Sequence, residues 1–256
     1  MRLTMAQRER YARQLALPEI GPDGQSRLAE GRVLVVGAGG LGSPVLFYLA
    51  AAGVGTLGIM DGDCVEASNL QRQILHATGD LGQSKAISAA ETLRALNPDV
   101  DVRPMTARLT RENGAAMLAG FDFVIDATDN FESKFLIADL CHAAGLPYSH
   151  AGIARFCGQT LTVLPGRSAC YRCVFEAPPT VVSGPPQGPL GVVPGVIGSI
   201  QATEAIKYLL HAGALLTDRV FVYDSWQMTA RCVRVTRRPD CALCGGHSPA
   251  LEPFDA

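Results

Sequence analysis

Short apolar runs alternate with longer segments of helical periodicity through the first half of the chain. Buried strands favour continuous aliphatic runs, whereas a helix with one buried face repeats its apolar residues every three or four positions. The alternation predicts strands and helices in βαβα order, which is typical of a mostly parallel sheet with helices on both faces. The predicted strands are 32–36, 56–60, 100–105 and 121–126, and the predicted helices are 4–17, 43–52, 84–96, 111–119 and 131–144.

The pattern changes beyond Pro147, where strand-like segments dominate and one further helix is predicted. These strands lack the intervening helices that parallel pairing requires, so they predict an antiparallel C-terminal extension of the sheet. Residues 177–195 hold six prolines and four glycines, a composition that predicts a loop that is mobile or becomes ordered on binding. The predicted strands of this half are 159–164, 220–223 and 228–235, and the predicted helix is 199–210.

The N-terminal segment predicts a helical arm, because Thr4 is a suitable N-cap and Pro18 stops a helix. The glycine- and aspartate-containing segment after Pro18 is predicted as a turn. A length of 256 residues suits one α/β core but is short for two. We therefore expect a single domain over residues 1–256, with an N-terminal arm (1–30), a nucleotide-binding half (31–150) and a second half (151–256).

Composition and charge narrow the class of partner and the compartment. A net charge of -2 gives no basic excess for nucleic acid, so a protein or small molecule is the expected partner. The first ten residues carry four charges where a secretory signal needs an apolar core, which predicts a cytoplasmic protein. The uncharged run 37–60 contains seven glycines and Pro44, so we expect a buried strand–helix–strand unit there and no membrane span.

A glycine-rich segment between a predicted strand and helix indicates a nucleotide site. Gly37, Gly39 and Gly42 fit the pattern G-x-G-x-x-G, in which glycines let backbone N–H groups approach phosphates. Asp61 follows at about twenty positions, where an acidic side chain usually binds the ribose. These features predict a Rossmann-like fold and, taken alone, are equally suited to NAD.

Polar residues after the second predicted strand favour ATP over NAD. Asn69 and Arg72 lie in the loop after that strand, and Lys85 opens the next helix. Cations and amides of this kind stabilise the charge that develops on phosphate oxygens during nucleotidyl transfer. Taken singly, Arg72 and Lys85 are also compatible with solvated surface positions.

An acidic residue at the end of a strand is a candidate for magnesium. Asp129 follows the strand 121–126 at its carboxyl end, where open α/β sheets bind ligands. Its carboxylate is the hard oxygen ligand that Mg²⁺ prefers. The alternative is that Asp129 or Asn130 caps the next helix. The sequence contains no Walker A motif, which disfavours a P-loop ATPase.

Two C-x-x-C pairs predict a metal site. Four thiolates suit tetrahedral Zn²⁺ with no open position, so the predicted zinc is structural and clips the C-terminal segment to the body. A redox pair is the alternative. The four other cysteines are expected to be packed in the interior. The predicted ligands are Cys170, Cys173, Cys241 and Cys244, and the remaining cysteines are Cys64, Cys141, Cys157 and Cys232.

These motifs together resemble the bacterial relatives of ubiquitin-activating enzymes, in particular the sulfur-carrier adenylyltransferases of the molybdopterin-synthase and thiamine pathways. The resemblance runs from about residue 8 to residue 245. It implies that ATP and Mg²⁺ activate the terminal Gly-Gly carboxylate of a small ubiquitin-like carrier as an acyl-adenylate. The motifs that carry it are Arg10-Tyr11-x-Arg13-Gln14, the GAGGLG loop at 37–42, Asp61-x-Asp63, Ser68 to Gln73, Gly82-Gln83-x-Lys85, Asp126 to Asn130 and the two C-x-x-C pairs.

The resemblance also assigns roles to single residues. It implies that Gly40 lies at the phosphate turn and that Asp61 binds the ribose. It implies contacts from Asn69, Arg72 and Lys85 to the phosphates, and from Asp129 to Mg²⁺. Arg13 would reach into the site of a neighbouring subunit, which implies a homodimer, and the second half of the chain (151–256) would bind the carrier.

One departure from the family changes the expected chemistry. Thiamine-pathway relatives carry a cysteine where this chain has Gly184, and no cysteine occurs between Cys173 and Cys232. We therefore expect the carrier to be held as an acyl-adenylate without a thioester to this chain. No room is left for a rhodanese-like domain, so a separate protein is expected to donate sulfur. Two alternatives stay open: an NAD-dependent oxidoreductase, and a non-catalytic scaffold that binds nucleotide and a ubiquitin-like protein.

Overall fold

The computed structural model describes residues 3–177 and 188–246. They form an eight-stranded sheet in the order β3-β2-β1-β4-β5-β6-β7-β8. The pairs from β3 to β5 are parallel and those from β5 to β8 are antiparallel, which confirms the predicted sheet and its extension. The strands are β1 (Arg32–Val36), β2 (Thr56–Met60), β3 (Asp101–Met105), β4 (Phe123–Asp126), β5 (Tyr148–Ala154), β6 (Cys157–Val163), β7 (Arg219–Asp224) and β8 (Thr229–Arg234).

Helices cover both faces of the sheet, because alternate residues of the buried strands enter two separate apolar cores. Val33 and Val35 of β1 belong to one core, whereas Leu34 and Val36 belong to the other. The first core includes α3, α4, α5 and α9, and the second includes α6, α7 and α8. The helices are α1 (Met5–Arg10), α2 (Ala12–Leu15), α3 (Gly21–Glu30), α4 (Gly42–Ala52), α5 (Lys85–Leu96), α6 (Arg111–Leu118), α7 (Phe131–Ala144), α8 (Tyr171–Val174) and α9 (Val192–Leu210).

The N-terminal arm differs from its prediction in two ways. Thr4 is the N-cap of α1, as predicted, but the helix breaks at Tyr11, whose ring is buried and whose hydroxyl accepts a hydrogen bond from Asn97 at 2.8 Å. The predicted turn after Pro18 is wrong, because residues 21–30 form α3. Pro22 lies in the first turn of α3, where the missing N–H of proline costs nothing.

The predicted loop 177–195 is also wrong at its C-terminal end, where α9 begins at Val192. Pro194 is in the first turn of α9, and Gly198 lets the helix approach the backbone of Leu41 closely. Residues 178–187, and Gly184 with them, lie outside the described residues. Strand β5 and the short helix α8 were not predicted.

Three of the four cysteines expected in the interior are exposed. Cys141 is buried in α7, as predicted, but Cys64, Cys157 and Cys232 are exposed. Cys64 follows β2 in a loop, Cys157 is the first residue of β6 and Cys232 lies on β8. Within residues 3–177 and 188–246, no helix combines the length and the apolar character needed to cross a membrane.

Candidate nucleotide and metal sites

A cavity of about 960 Å³ opens at the carboxyl ends of β1, β2 and β4. The glycine-rich loop forms one wall of it, through Gly37, Gly39 and Gly40. Gly37 has a φ of 103°, which favours glycine, and a side chain at Gly42 would collide with the carbonyl oxygen of Gly37. Gly42 is not among the described residues that line the cavity, so its contribution is the tight entry into α4.

Asp61 holds the glycine-rich loop in place. Its Oδ2 accepts a hydrogen bond from the backbone N–H of Ala38 at 2.8 Å, and its Oδ1 accepts one from the N–H of Asp63 at 2.8 Å. The residue also lines the cavity, as its predicted contact with a ribose requires. Each carboxylate oxygen has two lone pairs, so these backbone contacts leave accepting capacity for a ligand.

Lys85 and Arg108 meet at Asp63 on the cavity wall. The Nζ of Lys85 lies 3.4 Å from Oδ2 of Asp63, and Nη2 of Arg108 lies 2.7 Å from Oδ1. Lys85 is 7% exposed at the first position of α5, so packing fixes its stem while its ammonium reaches the cavity. Sequence reasoning missed Arg108, whose only signal is its position in the loop after β3, at the same edge of the sheet.

Of the other residues predicted near the phosphates, Arg72 lines the cavity, whereas Asn69 and Arg13 do not. Arg72 lines the cavity beside Gly40 and donates to the carbonyl of Ser68 at 3.3 Å. Asn69 ends a short 3-10 turn, and the described lining of the cavity does not include it. Arg13 lies exposed in α2 and is likewise outside that lining. The structure therefore brings Arg72 and Lys85 together and leaves Asn69 and Arg13 apart from them.

Asp129 lines the cavity, and its neighbour Asn130 caps the following helix. The side chain of Asn130 accepts a hydrogen bond from the N–H of Ser133 at 2.8 Å, which makes Asn130 the N-cap of α7. The capping role considered for Asp129 thus belongs to Asn130. The carboxylate of Asp129 therefore faces the same cavity as the cations Arg72 and Lys85.

A buried ionic cluster supports the loop that carries Asp129. Asp126 accepts hydrogen bonds from Lys134 at 3.3 Å and from Nδ1 of His150 at 2.8 Å. Burial raises the pKa of Asp126, but the charge of Lys134 and the bond from His150 outweigh it and hold the pKa at about 2. Lys134 also donates to the carbonyls of Thr128 and Ala151, at 2.7 and 2.6 Å. Sequence reasoning gave none of these three side chains a role.

Burial and the nearby ammonium lower the pKa of His150, while Asp126 opposes the shift. A neutral His150 that donates from Nδ1 keeps a lone pair on Nε2. The cluster of Asp126, Lys134 and His150 therefore has no net charge.

The four predicted zinc ligands converge. The sulfur atoms of Cys170, Cys173, Cys241 and Cys244 all lie within 4.8 Å of one another. The sulfur–sulfur separations are 3.7 Å for Cys170 and Cys173, 3.5 Å for Cys170 and Cys241, and 3.3 Å for Cys173 and Cys244. Tetrahedral Zn²⁺ with bonds of about 2.3 Å places its sulfurs about 3.8 Å apart, so this cluster could hold a zinc ion.

The first cysteine pair is braced from the side of α7. Arg172 lies between the two cysteines and donates to both carboxylate oxygens of Asp139, at 2.8 and 2.9 Å. Its guanidinium also lies 4.7 Å from the ring centre of Phe135. Contacts of this kind fix the approach of metal ligands, because they restrain the backbone from which the thiolates project.

A family model described as the ThiF family matches residues 11–243. The chain belongs to the ThiF family. This assignment confirms the resemblance seen in the sequence motifs. The matched residues include Cys170, Cys173 and Cys241 and end one residue before Cys244.

Relatives within the ThiF family match over most of the chain. The SAMP-activating enzyme E1 of Haloferax volcanii is 48% identical over 257 residues, which cover 99% of this chain and 95% of the relative. The sulfur carrier protein adenylyltransferase of Thermus thermophilus is 43% identical and covers 100% and 97%. The adenylyltransferase and sulfurtransferase MOCS3 of Bos taurus is 47% identical, but the match covers 53% of that longer protein.

Solved structures share the fold of this ThiF-family chain. A crystal structure of Escherichia coli MccB matches 95% of this chain and 74% of its own, with a TM-score of 0.82 and 21% identity. A structure of the same protein with ATP matches with a TM-score of 0.79. At this identity the likeness supports the predicted α/β fold and carries no statement about function.

Proposed function

We propose that this ThiF-family chain is an ATP-dependent adenylyltransferase that activates the C-terminal Gly-Gly carboxylate of a small ubiquitin-like sulfur-carrier protein. The observation that carries the proposal is the cavity at the ends of the parallel strands, which brings the glycine-rich loop together with Arg72, Lys85 and the carboxylate of Asp129. The names of the two relatives that match over nearly their full lengths, an activating enzyme and a sulfur carrier protein adenylyltransferase, agree with it.

The reaction requires little acid–base chemistry from the protein. An oxygen of the tail carboxylate attacks the α-phosphorus of ATP, the bond from that phosphorus to the bridging oxygen breaks, and pyrophosphate leaves. The attacking carboxylate is already ionised near neutral pH, so no general base has to remove a proton. Catalysis then rests on orientation and on stabilising the charge that develops on the phosphates.

The residues of the cavity divide this work. Gly37, Gly39 and Gly40 let the phosphates approach the loop backbone, and Asp61 binds the ribose hydroxyls. Arg72 and Lys85 stabilise charge on the α-phosphate and on the leaving pyrophosphate. Gly42 shapes the entry into α4, and Asn69 is proposed as a further contact to the phosphates.

A magnesium ion and a zinc ion complete the proposed set of cofactors. Asp129 would hold Mg²⁺, which supplies charge neutralisation to the phosphates when bound. The four cysteines would hold one structural Zn²⁺, since all four positions are filled by thiolates and none is left for a substrate.

The active form in this proposal is a cytoplasmic homodimer in which Arg13 of each chain contacts the nucleotide site of the other chain. Arg13 supports this arrangement because it is exposed on α2 and lies outside the cavity of its own chain. The carrier then leaves as an acyl-adenylate for a separate sulfur donor, with no thioester, no nucleic acid and no membrane involved. Intact mass analysis that detects a thiol-sensitive adduct between chain and carrier would contradict the acyl-adenylate step.

Pyrophosphate exchange tests the proposal directly. The assay uses the purified chain, ATP, Mg²⁺, labelled pyrophosphate and ubiquitin-like proteins that end in Gly-Gly. Carrier-dependent exchange is expected, and Lys85→Ala and Arg72→Ala should each lower its rate by roughly 10²-fold or more. Arg103→Ala is the matched control, because Arg103 is an exposed cation on β3 that pairs with Asp101.

Two other outcomes would favour the alternatives. ATP binding without exchange by any carrier would favour the nucleotide-binding scaffold. Reduction of NAD would favour the oxidoreductase, although that reading gives no role to Arg72, Lys85 and Asp129.

A further inference from the structure

The cavity extends past its phosphate end onto an inner wall formed by β5, β6 and α8. Three polar side chains lie on this wall: His150 of β5, Gln159 of β6 and Tyr171 of α8. They lie over the antiparallel side of the sheet, away from the glycine-rich loop on β1. The adenylation chemistry proposed above gives none of them a role.

His150 offers a hydrogen-bond acceptor to this wall. It is 2% exposed, and within the described part of the chain its imidazole has one hydrogen bond, from Nδ1 to Asp126. The carboxylate can only accept, so the proton is on Nδ1 and the lone pair is on Nε2. A Cβ at Gly152, the cavity residue next along the same face of β5, would lie 4.0 Å from Nε2.

Tyr171 offers a donor beside it. The ring centres of Tyr171 and His150 are 4.4 Å apart, and Phe135 and Phe175 pack against Tyr171 at 4.9 Å each. The residue is 1% exposed, and its hydroxyl has no hydrogen-bond partner among the described residues. Buried polar groups are nearly always paired, and this hydroxyl is a donor that no described residue uses.

Gly152 keeps the space in front of this pair open. Gly152 is paired with Gln159 across β5 and β6, and a Cβ at Gly152 would lie 3.6 Å from Nε2 of Gln159 and 4.0 Å from Nε2 of His150. A methyl group there would thus stand between the two polar side chains in ordinary van der Waals contact. Because Gly152 has no side chain, an extended peptide has room to lie against this wall.

The charge on the wall selects the kind of group that binds. Lys134 compensates Asp126, and His150 is neutral, so the wall carries no net charge behind its donor and acceptor. A neutral peptide group, with one carbonyl and one N–H, matches such a pair, whereas a carboxylate is better served by Arg72 and Lys85.

We propose that His150 and Tyr171 form a subsite that binds a backbone peptide group at the C-terminal end of the carrier tail. The Tyr171 hydroxyl donates to the peptide carbonyl, and Nε2 of His150 accepts from the peptide N–H. The subsite rests on the proposed function, because it holds the tail while the terminal carboxylate reaches the α-phosphorus.

Two substitutions test the subsite: one removes the donor and keeps the aromatic ring, and the other replaces the imidazole by a smaller amide. Tyr171→Phe deletes the hydroxyl, and His150→Asn keeps a donor for Asp126 while removing Nε2. Each should raise KM for the carrier about tenfold, the loss of one neutral hydrogen bond, with little change in KM for ATP. Tyr171→Phe should leave Tm unchanged or raise it, because it deletes a buried hydroxyl that lacks a partner in the free protein. A residue with a purely structural role would lower Tm and affect both KM values.

A chemical change in the carrier makes the test specific. A semisynthetic carrier whose last peptide bond is an ester lacks the N–H that His150 is proposed to accept. With the wild-type enzyme this carrier should show a KM about tenfold higher, whereas with His150→Asn the ester and amide carriers should behave alike. Gly152→Ala should raise KM for both carriers, because the methyl group fills the subsite.

The outcomes separate this proposal from the one on which it rests. Absence of carrier-dependent exchange by the wild-type chain would overturn the proposed function. Normal exchange, together with unchanged carrier KM in Tyr171→Phe and His150→Asn or with additive effects of the ester and His150→Asn, would overturn the subsite alone.

Discussion

The Nε2 atom of His76 lies 2.9 Å from the carbonyl oxygen of Ala38, in the middle of the glycine-rich loop. A carbonyl can only accept, so Nε2 carries the proton in this contact. The backbone N–H of Ala38 donates to Asp61. Both polar backbone groups of Ala38 are therefore bound by side chains from outside the loop. His76 also contacts Ser88 at 2.8 Å, which links the loop to the helix that carries Lys85.

Replacement of His76 should weaken ATP binding through the loop. His76→Ala leaves the Ala38 carbonyl without its donor, and an unpaired buried group costs about 1–3 kcal/mol. We expect KM for ATP to rise by about tenfold or more, with less effect on KM for the carrier. His76→Gln is the matched control, because its amide can donate to the same carbonyl. Equal ATP kinetics for the Ala and Gln variants would show that the contact does not position the loop.

Zinc is expected at one ion per chain, and its loss should act mainly on stability. Cys173→Ser should lower Tm by several degrees and release the metal, because closed thiolate sites contribute directly to the free energy of folding. Cys232→Ser changes an exposed thiol on β8 and is the control. Metal analysis and thiol titration of the folded protein provide the measurement. A folded protein that is free of zinc and in which Cys170, Cys173, Cys241 and Cys244 all react would contradict the site.

Acid should destabilise the chain partly through His150. Burial lowers the pKa of His150 in the folded state, whereas the unfolded value is about 6.5. Below about pH 6.5 the unfolded chain binds a proton that the folded chain does not, so the free energy of unfolding falls as pH falls. One such group contributes up to about 1.4 kcal/mol per pH unit.

Denaturant titrations at pH 7 and pH 5 check this slope. His150→Asn should make the loss of stability between the two pH values smaller, although burial also lowers the pKa of His76 and of His142, so part of the loss should persist. His211→Asn, at the exposed C-cap of α9, is the control for the substitution itself. Identical slopes for the wild type and His150→Asn would contradict the assignment.

Shared sites in a homodimer make a quantitative prediction for Arg13. Arg13→Ala and Asp129→Ala homodimers should each be inactive in exchange. In a mixed dimer one site carries both lesions and the other is intact. With random reassortment about half of the dimers are mixed, so roughly a quarter of wild-type activity should return. Background activity after verified exchange of subunits would show that Arg13 does not act across an interface.

The sequence predicted those strands and helices whose own residues show a clear apolar run or helical periodicity. Strand Thr56–Met60 and helix Phe131–Ala144 have the predicted bounds, because continuous apolar runs and capped periodic segments report directly on burial. Helix α3 escaped prediction because its first residues, with two glycines and a proline, favour a turn by propensity. Packing overrides that preference: Leu28 is fully buried, and a Cβ at Gly24 would lie 3.0 Å from Leu210 of α9.

Some residues of the candidate site could likewise be predicted from the sequence, and others could not. Asp61, Lys85 and Asp129 follow or open regular elements at one edge of the sheet, so their convergence could be predicted from strand order. Arg108 and His150 could not be found this way, because their roles depend on side chains from other elements: Asp63 for Arg108, and Asp126 for His150. Nothing near them in the sequence carries that information.

Tyr171 lies between Cys170 and Cys173, so one short segment carries two of the four predicted zinc ligands and a residue that lines the cavity. An oxidant or chelator that strips the ion would loosen this wall first, while the glycine-rich loop, held by Asp61 and His76 on the far side of the sheet, would keep its shape. A shortage of cellular zinc or an oxidising change in thiol redox state would then weaken binding of the carrier before it weakens binding of ATP. Any redesign of carrier preference along this wall has to preserve the spacing of Cys170 and Cys173 on either side of Tyr171.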